Sequence, residues 1–277
     1  NIGNGVNRIP RYLACGQRGL TSIIIPASVT SIGDRAFCGC SGLTSVIIGS
    51  SVITIGDEAF KDCSGLTSVT IPDSVTSIGD RAFEWCRGLT SVSISASVTS
   101  IGKGAFYGCS GLTAVTYNAI NYRNHVFGPD AWFKGCPLTS FNIGEGVKQI
   151  PGYFAFGQKG LTSITIPTSV TTIGDSAFTG CACLTSVTIR DSIASIGDSA
   201  FKGCSGLTSV AISASVTSID REAFKDCTGL TSVTIPDSVA SIGDGAFVGC
   251  SGLTSVIIGS SVTSIGKEAF KGCSDLT

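Results

Sequence analysis

Methionine is absent from this 277-residue chain, histidine occurs once (His125), and only 13% of residues are charged, for a formal net charge of −1. A charge density this low and balanced excludes holding nucleic acid or an anionic membrane by bulk electrostatics. A lone histidine without a specific Ser–His–Asp or Cys–His arrangement around it gives no basis for nucleophilic catalysis. The chain is apolar on average, yet no apolar run approaches the roughly 20 residues that a membrane span needs. No signal peptide is visible, and no N-x-S/T sequon occurs. Phosphate-binding glycine motifs are missing too: Gly102-Lys103 runs into Gly104 and Gly266-Lys267 into Glu268, neither of which supplies a metal-binding hydroxyl. With no methionine, and with Asn1-Ile2 and Asp275-Leu276-Thr277 both falling inside a repeat, we expect a window of a longer protein.

What the chain does have is a period. Leu20, Leu43, Leu66, Leu89 and Leu112 are 23 residues apart, and after one longer step to Leu138 the spacing continues through Leu161, Leu184, Leu207, Leu230, Leu253 and Leu276. A unit so short cannot bury its own apolar face, so its neighbours must do so, which predicts a solenoid of stacked coils. We expect one array over 1–277, about twelve whole or partial units, with an irregular unit at 113–138. A block duplication, 1–141 against 142–277, overlies it: Asn1-Ile2-Gly3 through Gly16-Gln17 recurs as Asn142-Ile143-Gly144 through Gly157-Gln158.

One coil, Leu66 to Gly88, shows the local logic. Ser68 to Ile71 alternates outward and inward residues and is rich in β-branching, as a half-buried strand should be. Pro72 cannot donate to a ladder and ends it. Val75 and Ile78 form a second apolar pair in extended chain. Asp80 follows Gly79 as an N-cap would, predicting a short helical or 3₁₀ turn over Arg81 to Cys86. Stacking superimposes Leu, Val/Ile, Ile and Phe columns about 4.8 Å apart. The Phe column runs Phe37, Phe60, Phe83, Phe106, Phe133, Phe178, Phe201, Phe224, Phe247 and Phe270.

Ten of the 13 cysteines follow those phenylalanines at a fixed interval of three. Metal sites need ligands converging on a point, whereas a column spreads them along an axis, so these read as small buried hydrophobes and no metal or cofactor is expected. Cys15 and Cys38 share an outer column, with free thiols favoured over a disulfide there, and Cys183 stands apart. The charged side chains gather at the turn and read as a solvated face.

The consensus L-T-S-V-T-I-P-D-S-V-T-S-I-G-D-x-A-F-x-x-C-S-G-L closely resembles the BspA-like leucine-rich repeats over essentially the whole chain. The irregular unit, T-Y-N-A-I-N-Y-R-N-H-V-F-G-P-D-A-W-F-K-G-C-P-L from Thr116, also resembles a variant unit of that family. The resemblance implies a curved α/β-type leucine-rich-repeat solenoid, a parallel sheet on its concave face and short strands with 3₁₀ or helical turns on the convex side. It further implies export to the cell surface and binding to a protein or glycan on a host cell, the matrix or another microbe. No cofactor is implied, and the missing catalytic constellation speaks against an enzyme.

Candidate contact residues lie at outward strand positions, a flat, uncharged, hydroxyl-rich row: Thr70, Ser93, Thr116, Asn142, Thr165 and Thr188. The irregular unit adds Asn118, Tyr122 and His125, which serve either as a contact bulge or as rings patching a lapse in the core. Two functions remain: an adhesive or ligand-binding module, and a structural spacer displaying a flanking domain. Open strand edges at both ends would invite end-to-end self-association.

Overall fold

A computed structural model describes residues 2–122 and 131–277. The chain divides into two compact units, one ending at Gly144 and the other beginning at Glu145. Each is a stack of coils carrying two parallel sheets, because every coil runs round the stack in the same sense. In the first unit a six-stranded sheet joins Ser22–Ile24, Ser45–Ile47, Ser68–Thr70, Ser91–Ile94, Ala114–Tyr117 and Ser140–Ile143. Five two-residue strands, Arg8–Ile9 through Ser100–Ile101, form the other sheet. In the second unit the corresponding sheets have four strands, Ser186–Ile189 through Ser255–Ile258, and six, Gln149–Ile150 through Ser264–Ile265.

Register is set by the repeat. Val46 pairs with Val69 and Ile55 with Ile78, a step of one coil. Only at the irregular coil does the step lengthen, to Val115 opposite Phe141. A slip by one residue would turn every buried Val outward, so alternation fixes the pairing. Leu43, Leu66, Leu89, Leu112 and their counterparts through Leu253 are fully buried, as are the Phe columns up to Phe247; only the outermost coils leave Leu20 and Phe270 half-buried and Leu276 exposed. Phe37, Phe60, Phe83 and Phe106 stack 5.3 Å apart with nearly parallel rings, and Phe178, Phe201, Phe224, Phe247 and Phe270 do the same at 5.2–5.5 Å.

The predicted helical turn does not form; among the described residues there is no helix. Arg81 and Trp85 instead adopt φ of 53° and 60°, and their coil-mates Arg35, Glu58 and Asp62 do likewise. This left-handed backbone aims N–H groups along the stack. Arg81, Phe83 and Trp85 donate to the carbonyls of Lys103, Ala105 and Tyr107 at 2.7–2.8 Å, so the turns build a third hydrogen-bonded ladder. The N-cap reading of Asp80 is corrected with it. Its Oδ1 accepts the N–H of Lys103, one coil on, at 2.8 Å, and Asp57 serves Asp80 equally. A helix would have satisfied these amides within one coil; the stack satisfies them between coils.

The irregular coil repairs its own core. Tyr117 occupies an isoleucine slot and stacks on Trp132 at 6.2 Å, while Tyr122 meets Trp132 edge-on at 5.0 Å. In the second unit Ala155 stands in the Phe column, and Phe154, from the preceding slot, turns inward to pack edge-on against Phe178 at 6.3 Å.

Candidate functional site

The outward row exists as a physical surface within each unit. In the first, Ile24 pairs with Ile47, and in the next coils Thr70 pairs with Ser93, Ser93 with Thr116 and Thr116 with Asn142. Ile24 and Ile47 are 58% and 56% exposed and adjacent, giving the row an apolar end. Thr70, Ser93 and Asn142 are exposed and Thr116 is half-buried. In the second unit Thr188 pairs with Ala211, and Thr234 with Ile257. Thr165 is exposed but lies outside any strand, its coil joining the sheet only through a bridge between Ser163 and Ser186.

Beside this row runs a second column of threonines whose hydroxyls are already committed. Thr44 Oγ1 donates to Thr21 O at 3.0 Å, and Thr67, Thr90 and Thr113 each repeat the bond one coil on. Among the described residues the Thr70, Ser93, Thr116 and Thr188 hydroxyls make no such bond. They are therefore free for a ligand and need shed only water.

The irregular coil supplies less to the surface than its composition suggests. Tyr122, a candidate contact residue, is only 8% exposed and belongs to the core, because Trp132 offers its ring an apolar partner. Asn118 is half-buried beneath Gly144, whose place a side chain could not take without meeting the Asn118 amide oxygen. His125 lies outside the described residues.

One feature of the site escaped the sequence reading. A cleft of about 610 Å³ opens in the second unit against Thr168, Thr188, Arg190, Asp191 and Ser213. Arg190 Nε donates to Ile166 O at 2.6 Å, which anchors the guanidinium stem at its edge. In neighbouring coils a serine two residues beyond this column closes the gap; Ser169, Ser215 and Ser238 each donate to a carbonyl one coil back at 2.7–2.9 Å. Ser192 Oγ is buried there without a partner among the described residues. The available signal was Arg190 itself, the single cation in a column otherwise filled by Pro, Gly, Ser and Asn.

Much of the charged turn face is paired within itself. Arg35 bonds Glu58 through two nitrogens at 3.0 and 3.1 Å, Lys61 reaches Glu84 at 2.7 Å, and Lys202 reaches Glu222 at 2.6 Å. The hydrogen bond from Arg35 holds the Glu58 carboxyl below its ordinary range, and Lys202 does the same for Glu222. Carboxylates so held do not donate protons near neutral pH. Among the described residues no three His, Cys, Asp or Glu side chains converge as metal ligands would, and no helix is long and apolar enough to cross a membrane.

The thiol column has a role beyond volume. Cys63, Cys86 and Cys109 donate Sγ–H to the carbonyls of Phe37, Phe60 and Phe83 at 3.1 Å, and Cys204, Cys227 and Cys250 continue the pattern. Burial pushes Cys204 and Cys250 up to about 12. Such thiols are neither nucleophiles nor metal ligands near neutral pH.

A family model for a BspA type leucine-rich repeat region of six copies matches residues 7–128, 43–158, 126–217 and 152–277. Among solved structures, a leucine-rich repeat protein from Bacteroides ovatus is 30% identical with a TM-score of 0.59, over 98% of this chain and 81% of that one. A leucine rich cell surface protein from Faecalibacterium prausnitzii is 29% identical, TM-score 0.50, over 98% and 82%. The pneumococcal vaccine antigen PcpA, at 21% identity and TM-score 0.51 over 93% and 67%, shares the fold. No curated protein matches. Stacked in-register coils, the Leu, Phe and Cys columns and these likenesses have one meaning: the chain belongs to the BspA-type leucine-rich repeat family.

Proposed function

We propose that this chain is a non-enzymatic recognition module, displayed at a cell surface, that binds a protein or glycan partner along the outward row of its long strands. The observation that carries the reading is the register Thr70–Ser93–Thr116–Asn142, an uncharged row with uncommitted hydroxyls beside the exposed Ile24–Ile47 pair. Many weak contacts repeated along such a row add to useful affinity without any deep pocket. The adjacent isoleucines favour an extended protein segment over a sugar. The cleft beside Thr188 and Arg190 adds a polar anchoring point in the second unit. The cell-surface protein from Faecalibacterium prausnitzii supports the location by likeness.

The test is capture on arrays of extracellular matrix proteins and surface glycans, comparing the native chain with a Thr70→Lys, Asn142→Lys, Thr188→Lys variant. Binding should fall at least about tenfold, the cost of one or two buried unpaired charges, with melting unchanged. Control substitutions on the turn face, Lys103→Ala and Lys134→Ala, should leave binding intact. Capture that is indifferent to the three lysines, or absent altogether, would favour a spacer that displays a flanking domain.

A further inference from the structure

All 13 thiols are free, but they fall into two chemical groups. The column thiols sit behind the Phe ladder, and each donates to a carbonyl. Cys15 and Cys38 lie instead in outer turns of adjacent coils, the first exposed and the second half-buried. Backbone bonds bracket them: Ala14 N–H donates to Ala36 O at 2.8 Å and Gly16 N–H to Cys38 O at 2.6 Å. The two cysteines therefore face one another across one coil spacing, which the neighbouring Phe37 and Phe60 rings mark as 5.3 Å. A disulfide spans Cα separations of about 4.4–6.8 Å. The Cys38 and Cys15 thiols are close enough to interact electrostatically. Each cysteine precedes a glycine, Gly16 and Gly39, and these stack so closely that a Cβ on Gly39 would lie 3.5 Å from Gly16 Cα.

We infer that Cys15 and Cys38 are a modification site, a dithiol that a small-molecule disulfide oxidises to an intrachain cross-link joining two adjacent coils. Stacking sets Cβ directions parallel in both columns, but the buried thiols are in addition tied to carbonyls and shut away from any reagent. In the outer turn the sulfurs are untied and reachable. The Cys15 thiolate attacks one sulfur of the reagent, forming a mixed disulfide and releasing one thiol. The Cys38 thiolate then attacks Cys15 Sγ and expels the second. The protein loses two hydrogens and two electrons, and the reagent gains both. Burial and the neighbouring Cys15 push Cys38 up to about 11, so closure quickens as pH rises. Cys183 has no such partner, since Gly160 and Gly206 occupy its column one coil away.

The reduced full chain carrying Cys183→Ser, which removes the other exposed thiol, is treated with oxidised glutathione at mildly alkaline pH. The expected product is a monomer with two fewer free thiols in denaturant, and an unreduced peptide map that links Cys15 to Cys38. Cys38→Ser should instead stop at a glutathione adduct on Cys15. Tryptic cleavage at Arg11 and Arg18 should slow about a hundredfold on oxidation, the effect of closing a loop of one coil, and recover with reductant. A lasting adduct on Cys15 in a chain that retains Cys38, a link to a column cysteine, a link between two chains, or unchanged cleavage would each overturn the inference.

Discussion

A single buried thiol shows how stacking changes the meaning of a residue. Cys204 is small enough for the core, donates to Phe178 O at 3.2 Å, and has its thiol pushed from the ordinary 9.0 up to about 12. Because the folded value is raised, its stabilising contribution is complete below pH 9.0. It is lost as pH climbs toward about 12, where only the unfolded chain has released the proton. Cys250 shifts alike. Denaturant midpoints should therefore fall steeply above pH 9.0, and Cys204→Ala should flatten that fall by up to about 1.4 kcal/mol per pH unit. Identical slopes in the variant and the native chain would refute the assignment. Phe83, between Phe60 and Phe106 at 5.3 Å on either side, should cost about 3–5 kcal/mol on truncation to Ala, read from chemical denaturation.

Within the coil, strand and turn differed in how readable they were. Alternation in Ser68 to Ile71 placed the strand seen at Ser68–Thr70, and the apolar pair Val75 and Ile78 pointed to the short strand Ser77–Ile78. The first follows from a period of two and the second from a β-branched pair in extended chain, and one coil contains both signals. The turn misled because Gly-Asp-x-Ala-Phe reads as a cap and helix start when a coil is taken alone. The partner of Asp80 Oδ1 belongs to the next coil, so no local pattern could reveal it. A subtler signal was present across coils: Gly104 and Gly245 share a column with Arg81, Ser199 and Glu222, and all five have positive φ. That column gives a prediction. Ser199, at φ 56°, should gain about 0.5–1 kcal/mol on replacement by Gly and lose about 1–2 on replacement by Val, measured as shifts in denaturation midpoint. A loss with Gly would mean that its side chain supports the turn.

Across the molecule, the columns absorb most of the chemistry a reader might assign to catalysis. The column thiols are spent on carbonyls, many acids on neighbouring cations and amides, and most aromatic rings on the core, Tyr122 among them. What remains is the outward row, the cleft at Arg190 and the Cys15–Cys38 pair. The row was legible because outward positions follow from alternation; the cleft was not, because its walls come from three successive coils, at Thr168, Arg190 and Ser213, whose juxtaposition no single coil displays. In-register stacking is tested most directly by amide hydrogen exchange on the free chain, read residue by residue. Protection should recur every 23 residues, at Val46, Val69 and Val92 in the strands and equally at Phe37, Phe60 and Phe83 in the turns, whose N–H groups donate to the next coil. Fast exchange at the turn phenylalanines, or protection without that period, would contradict it.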